Sequence, residues 1–266
     1  MKRKNVLCIF LFLLTVLFTF ELLKNIDEIK PQARKWHSGA LKSLNENHSK
    51  LKSSVLLRNS LNMSFDIDIV ISSFKKSVED KLNLEQYNRG YNELYSFFLV
   101  LGTVFKFIAS DVREKIDILE SFQKGKNQEH YTHTEKMIIY EIQMNKDDPT
   151  IPLLGSRTLL RLHRALKFTY LFLDGLILLN DDDNLSSMAI TMYNKSLANH
   201  HPWLIRNAAK LAMYSLPNKK TLINQIAKDA DKELLSQKLR EGVAALEVAY
   251  KEIEDLYTKN NLHSLP

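Results

Sequence analysis

Apolar residues recur every three or four positions through most of the chain beyond Phe65. The first two segments show this spacing at Ile67, Val70, Ile71 and Phe74 and at Tyr91, Leu94, Phe98, Leu101 and Phe105. Because residues three and four apart share one face of an α-helix, the spacing predicts amphipathic helices. Similar patterns near residues 134–144, 157–179, 185–199, 203–216, 219–230 and 232–258 predict about eight helices and an all-α fold.

One predicted helix is apolar around most of its circumference. Within residues 157–179, apolar side chains stand at Leu159, Leu162, Leu166, Phe168, Leu171, Phe172 and Leu176. A helix with a single packing stripe needs fewer apolar positions than this. The pattern therefore predicts a helix that is buried between layers or lines an apolar cavity, and a plain core helix fits it as well.

Residues 1–23 form a distinct unit. Lys2, Arg3 and Lys4 precede an apolar stretch from Val6 to Phe20, which is typical of a signal anchor or a signal peptide. Residues 24–65 are mostly polar and show no sustained apolar period, so we interpret them as a linker. Because basic residues before an apolar stretch favour a cytosolic N-terminus, we expect a membrane-associated protein with a lumenal or extracellular domain. A cytosolic domain is the alternative.

Composition and charge fit one ordinary globular domain with extra segments. The 266 residues are 45% apolar and 26% charged, and only 7 glycines and 6 prolines interrupt them. The formal net charge of +6 suits an anionic partner, whether nucleic acid, a membrane surface or a phosphorylated ligand. A nucleic-acid partner would need a basic stripe interleaved with exposed aromatic residues. The cations here cluster in one place instead, so we do not expect nucleic-acid binding.

Residue types that carry catalysis or bind metals are scarce in the sequence. The single cysteine, Cys8, lies in the N-terminal apolar stretch, which leaves the folded part without a thiol for a disulfide, a zinc site or a nucleophile. The pairs His130 with His133 and His200 with His201 have no third ligand at a suitable spacing. No nucleophile elbow, phosphate-binding glycine loop or catalytic carboxylate motif occurs. We therefore expect no enzymatic activity, no cofactor and no metal.

Several charged residues stand among the apolar positions of the predicted helix at 157–179, where they are unexpected. Arg157 and Arg161 are four residues apart and Arg164 follows three residues later, so all three share one helical face. A basic helix face is more often solvated than functional, but clustered cations at the start of an apolar helix suit an anion-binding pocket. Asp111 and Lys115 form a second pair, of opposite charge and at i,i+4 spacing.

Three segments resemble the headgroup-site segments of the glycolipid transfer protein superfamily, most closely those of its ceramide-1-phosphate transfer members. They read LGTVFKFIASDVREK at 101–115, GSRTLLRLHRAL at 155–166 and HPWLIR at 201–206, in the family's order and at suitable intervals. The resemblance covers roughly residues 66–260 and leaves 261–266 as a C-terminal tail. It implies a two-layer helical sandwich with an internal apolar cavity for the lipid chains.

The resemblance also implies roles for individual residues. Asp111 and His201 match residues that hydrogen-bond the ceramide amide and a neighbouring hydroxyl. Lys115, Arg157 and Arg161 match the lysine and two arginines of phosphate-selective members, whereas sugar-selective members carry asparagine and tryptophan at the first and last of these positions. Guanidinium groups satisfy the charge and oxygens of a phosphate in a way that neutral amides cannot. The implied ligand is ceramide 1-phosphate.

The implied activity is non-enzymatic transfer of this lipid between membranes by a monomeric carrier. Moving an acyl chain from a bilayer into a protein cavity exchanges one apolar solvent for another, so no covalent step is needed. Trp203 matches a tryptophan that such proteins use for membrane docking, although tryptophan is also often packed in a core. The alternatives are a membrane-tethered sphingolipid sensor, glycosphingolipid transfer and, as an enzyme, a lipid hydrolase.

Overall fold

The computed structural model describes residues 65–102, 105–227 and 231–266, apart from the side chain of Phe107. The predicted signal segment, residues 1–23, lies outside this part of the chain, and so does the predicted linker, residues 24–65, except for its last residue. Within the described ranges, no helix is both long and apolar enough to cross a bilayer.

The described part of the chain is built from α-helices. They are α1 (Ile67–Glu79), α2 (Leu84–Val100), α3 (Lys106–Gln123), α4 (Thr134–Asp147), α5 (Leu154–Leu178), α6 (Leu185–Ser196), α7 (Trp203–Met213), α8 (Lys219–Ile226) and α9 (Lys232–Lys259). Two short 3-10 turns span Gln128–His130 and Ala198–His200. No β-strand occurs in these ranges, where the only β pairing is two isolated bridges. The prediction of an all-α, two-layer helical fold is confirmed.

The described residues form nine α-helices, whereas the apolar pattern predicted about eight. The apolar pattern through Tyr91 and Phe105 reads as one segment, but the structure divides it at Gly102. Gly102 has φ +109°, a backbone conformation that residues with a side chain rarely adopt. The chain therefore ends α2 before this glycine and starts α3 after it.

Polar side chains cap most of the helix starts. Asp66, Asn83, Asn184, Asn218 and Asp231 each accept a hydrogen bond from a backbone N–H in the first turn of α1, α2, α6, α8 and α9. These bonds satisfy N–H groups that have no acceptor inside the helix, and each cap typically stabilises its helix by about 1 kcal/mol. The start of α5 has no cap of this kind.

Helix α5 lies at the centre of the described fold. It contacts α3, α4, α6 and α9, while α1 contacts α2 and α9. Leu159, Leu162, Leu166, Phe172 and Leu176 are all at most 2% exposed and belong to the hydrophobic core. Burying a side chain of this size contributes about 1.5–3 kcal/mol. The predicted burial of this helix is therefore confirmed, and it fits a helix between layers and a plain core helix alike.

Candidate functional site

Two arginines near the start of α5 have no protein partner in the part of the chain that the structure describes. Arg157 and Arg161 lie one turn apart, and both are partly buried. Neither guanidinium forms a hydrogen bond or an ion pair with any described residue. Burial lowers the pKa of Arg157, repulsion from Arg161 lowers this pKa further, and the charge of Glu141 raises it. Because partly desolvated cations whose N–H groups lack acceptors are costly, the pair is suited to bind an anion.

A carboxylate from another helix holds the start of α5. Glu141 on α4 accepts hydrogen bonds at 2.7 Å from the backbone N–H of Gly155, the backbone N–H of Ser156 and the Ser156 hydroxyl. Tyr131 donates to the same carboxylate at 3.2 Å. Burial raises the pKa of Glu141, and these hydrogen bonds oppose the rise. Glu141 thus replaces the missing side-chain cap of α5.

Gly155 makes this close contact possible. A Cβ atom at position 155 would stand 2.7 Å from Sδ of Met137 and 2.8 Å from Oε1 of Glu141. On α9, the hydroxyl of Tyr257 donates to the carbonyl of Ser156 at 2.6 Å. The residue before Arg157 is therefore held from two sides, by α4 and by α9, and this fixes where the arginine pair stands.

Lys115 and Asp111 form a direct ion pair on α3. The Lys115 ammonium lies 2.5 Å from Oδ1 of Asp111, and the side chains are 11% and 33% exposed. The sequence alone would make an i,i+4 pair of this kind a surface salt bridge worth little. Because Lys115 is largely buried, this pair differs from an ordinary surface salt bridge.

Glu114 on α3 interacts electrostatically with the Asp111–Lys115 pair and with Arg161 on α5. Burial raises the pKa of Glu114, Lys115 and Arg161 lower it, and Asp111 raises it. The pKa of this one carboxyl group therefore depends on charges from both α3 and α5, and the two helices are in direct contact. The structure thus brings Asp111 and Lys115 into the electrostatic neighbourhood of Arg161.

His201, in the turn before α7, lies near the same charged groups. Its Nδ1 lies 2.8 Å from the hydroxyl of Tyr193, which is buried on α6. Burial lowers the pKa of His201, while the charge of Asp111 raises this pKa and that of Lys115 lowers it. Burial also raises the pKa of Tyr193 to about 12, so its hydroxyl stays protonated. Tyr193 was not among the residues predicted from the sequence.

Arg164, the third cation of the predicted basic face, binds the C-terminal segment. Its Nη2 donates to the carbonyl of His263 at 2.9 Å and to that of Leu265 at 3.4 Å. Arg164 therefore holds the C-terminal segment against α5, whereas Arg157 and Arg161 make no such contact.

The outer face of α7 carries exposed aromatic and apolar side chains. Trp203 at its first position is 70% exposed, Leu211 is 50% exposed and Tyr214, just after its last residue, is 69% exposed. Ala208 and Ala212 lie on the opposite, buried face. The alternative that Trp203 is packed in the core is wrong, because most of its surface is open.

The histidine pairs have other neighbours. His130 stacks on Tyr140 with ring centroids 4.1 Å apart, and His133 lies 3.4 Å from a carboxylate oxygen of Asp80. No group of three or more potential metal ligands occurs among the described histidines, aspartates and glutamates.

The family model described as "Glycolipid transfer protein (GLTP)" matches residues 82–228. The chain belongs to the glycolipid transfer protein family. Family membership places it among lipid transfer proteins rather than among enzymes.

Individual relatives support the same membership. The ceramide-1-phosphate transfer protein of Danio rerio is 40% identical over 209 residues, which cover 76% of this chain and 99% of that protein. The crystal structure of the mouse ceramide-1-phosphate transfer protein in its apo form has a TM-score of 0.71 and 36% identity, covering 76% of this chain and all of that one. The human protein in complex with 12:0 ceramide 1-phosphate has a TM-score of 0.69 and 32% identity, with the same coverage.

Proposed function

We propose that this protein binds a sphingolipid with a phosphate headgroup, ceramide 1-phosphate, and transfers it between membranes. The observation that carries the proposal is the pair Arg157 and Arg161, which are partly buried and have no acceptor among the described residues. Relatives in the family, at 33–40% identity, are named ceramide-1-phosphate transfer proteins. The phosphate would supply the acceptors that this pair lacks.

The charge of the site favours a phosphate over a sugar. A phosphate monoester carries nearly two negative charges and three acceptor oxygens, and arginine forks bind such oxygens in a bidentate manner. Lys115 adds a third cation from α3, already partly neutralised by Asp111 at 2.5 Å. A sugar headgroup would leave the partly desolvated guanidinium groups of Arg157 and Arg161 without an anionic acceptor, which costs free energy.

Asp111 and His201 are placed to recognise the ceramide amide. A carboxylate of Asp111 can accept the amide N–H, and an imidazole N–H of His201 can donate to the amide carbonyl. When the Tyr193 hydroxyl donates to Nδ1 of His201, the ring proton is on Nε2, which is then free to donate. Tyr193 would therefore select the His201 tautomer that the amide needs.

Membrane docking is assigned to the outer face of α7. Trp203, Leu211 and Tyr214 are exposed on one side of this helix, and aromatic rings are favoured at the headgroup level of a bilayer. Each methylene kept out of water contributes about 0.8 kcal/mol, so a docked protein can accept the lipid chains without exposing them. The proposed site uses only residues of one chain, so we propose that a monomer is the transfer unit.

Residues 1–23 would attach the protein to a membrane or direct it into the secretory pathway, and residues 24–65 would link them to a lipid-binding domain at 66–260. The proposal rests on the basic residues before the apolar stretch Val6–Phe20. Glycosidase treatment of the protein made in eukaryotic cells tests it. An unshifted band, together with protease access to the domain from the cytosol, would overturn the lumenal orientation.

Transfer between vesicles tests the proposed function directly. Wild type should move labelled ceramide 1-phosphate faster than labelled glucosylceramide, because only the first lipid neutralises the site. The double variant Lys115→Asn with Arg161→Trp should lose this preference, since it removes two cations and supplies an amide and an aromatic face suited to a sugar. Equal transfer of both lipids by wild type would refute the headgroup assignment.

A further inference from the structure

A second polar cleft lies beside the proposed headgroup site. Its volume is about 150 Å³, and it is formed by α5, the end of α6, the 3-10 turn that follows, α9 and the C-terminal segment. Arg157, Arg161 and Lys115 do not line it. Its polar lining includes His163, Arg164, Lys167, His200, Glu254 and His263. The proposed function uses none of these six residues.

Two positively charged side chains in this cleft form no ion pair in the described part of the chain. Arg164 and Lys167 are three residues apart on α5, and no described carboxylate forms an ion pair with either of them. Arg164 donates from one nitrogen, Nη2, to two backbone carbonyls, and its remaining N–H groups form no hydrogen bond with a described residue. The Lys167 ammonium lies 5.5 Å from the centre of the Tyr250 ring. Both cations can donate further hydrogen bonds.

The one carboxylate in the cleft already has a partner. Oε2 of Glu254 lies 2.6 Å from Nε2 of His163, and this hydrogen bond lowers the pKa of Glu254 to about 2. His163 is 1% exposed, its ring stacks on Tyr250 at 4.2 Å, and burial lowers its pKa. Its second nitrogen, Nδ1, is buried and has no hydrogen-bond partner among the described residues. Glu254 stays negatively charged and raises the pKa of Arg164 and of His200, but it forms no ion pair with Arg164 or Lys167.

Two further histidines can donate into the cleft. Burial lowers the pKa of His200, the charges of Arg164 and Lys167 lower it further, and the charge of Glu254 opposes them. His263 has Nε2 at 2.9 Å from the Thr258 hydroxyl. The cleft thus gathers two cations, three imidazole rings and one carboxylate around a space large enough for a small ion.

We propose that this cleft binds a phosphate-type oxyanion, separately from the headgroup site. A tetrahedral oxyanion offers the acceptors that Arg164, Lys167, His200 and His263 require. Arg164 follows Arg161 by three residues and His200 precedes His201, so the two sites share a wall. Free phosphate and the headgroup of a second anionic lipid have the same chemistry.

Histidine resonances of the full chain, labelled with 13C-histidine and held in neutral detergent, provide the test. One arm adds inorganic phosphate, a second adds glycerol 3-phosphate, and a third replaces the detergent with phosphatidylcholine vesicles that contain or lack phosphatidic acid. The expected result is a saturable shift of the His200 and His263 signals and a rise in the pKa of His200 in at least one arm. A response to inorganic phosphate identifies a free ion as sufficient, whereas a response confined to the other arms identifies a lipid headgroup.

Variants decide where the anion binds. Lys167→Gln should weaken the apparent affinity about tenfold, because it removes one charge-assisted hydrogen bond. Lys167→Arg should restore binding, and Lys195→Gln, an exposed lysine of α6 outside the cleft, should leave it unchanged. Arg161→Gln removes a charge that acts on Arg164 from outside the cleft, so it should change the affinity much less than Lys167→Gln does. No saturable shift in any arm, or a shift that Arg161→Gln abolishes and Lys167→Gln retains, would overturn the proposal.

Discussion

The hydroxyl of Tyr193 and Nδ1 of His201 lie 2.8 Å apart, so a residue of α6 orients the imidazole that we assign to the ceramide amide. Removing the hydroxyl in Tyr193→Phe should free the ring to adopt the other tautomer. One neutral hydrogen bond contributes about 1 kcal/mol, so transfer should slow about fivefold. Because the amide is common to all ceramides, ceramide 1-phosphate and unphosphorylated ceramide should be affected alike in a vesicle transfer assay.

Tyr170→Phe is the matched control for this change, because no described residue accepts a hydrogen bond from its hydroxyl. It should transfer both lipids at the wild-type rate. If Tyr193→Phe behaves like Tyr170→Phe, the hydroxyl does not orient His201 for lipid binding.

Glu141 should control both the stability of the fold and the position of Arg157. Glu141→Ala leaves the buried N–H groups of Gly155 and Ser156 without an acceptor, at about 1–3 kcal/mol for each. Glu141→Gln keeps one acceptor oxygen and should cost less. Denaturant unfolding measures both variants. Transfer of ceramide 1-phosphate by folded Glu141→Gln should fall more than transfer of ceramide, and equal losses would show that Glu141 stabilises the fold without positioning the arginine.

The fold could be predicted from the sequence because its helices are amphipathic and clearly punctuated. The predicted range 232–258 and the observed α9, Lys232–Lys259, differ by one residue, since Asp231 provides a standard cap. The division between α2 and α3 was missed, because the apolar period continues across Gly102 and only the backbone conformation interrupts it.

The site could be predicted only in part. Arg157, Arg161, Asp111 and Lys115 stand out because charges on an apolar helix or at i,i+4 spacing are visible in one segment. Glu141 and Tyr193 are visible only in three dimensions, because each acts on a residue of a different element, 14 and 8 positions away. The hydrophobic period cannot reveal a hydrogen bond that two packed elements form.

Trp203 should act at the membrane and not in the fold. It is 70% exposed, so Trp203→Ala should leave the helix content and the melting temperature unchanged. Withdrawing a large aromatic side chain from a bilayer interface should weaken vesicle binding about tenfold, and Tyr214→Ala should act in the same direction. Vesicle co-sedimentation measures the effect. Ile139→Ala, a 58% exposed residue of α4, is the control and should bind as wild type does.

Acid should destabilise the fold in two steps, one through His163 and one through Glu254. The lowered pKa of His163 means that the fold disfavours its protonated form, so stability is lost as the pH falls below about 6.5. The pKa of Glu254 is lowered to about 2, so its contribution is present above about pH 4.3 and is lost as the pH falls toward about 2. Melting temperatures of wild type and Glu254→Gln should differ above about pH 4.3 and converge as the pH approaches about 2. A difference that stays constant with pH would contradict this assignment.

The headgroup assignment depends most directly on Arg157 and Arg161, the two cations without a protein partner among the described residues. The measurement is transfer of labelled ceramide 1-phosphate and labelled ceramide between vesicles by wild type, Arg157→Gln and Arg161→Gln. Arg240→Gln, an exposed arginine of α9, serves as the control. A charge-assisted hydrogen bond contributes about 1.5–3 kcal/mol, so each site variant should lose about ten- to a hundredfold in affinity for ceramide 1-phosphate and little for ceramide. Unchanged transfer of ceramide 1-phosphate by both site variants would contradict the assignment.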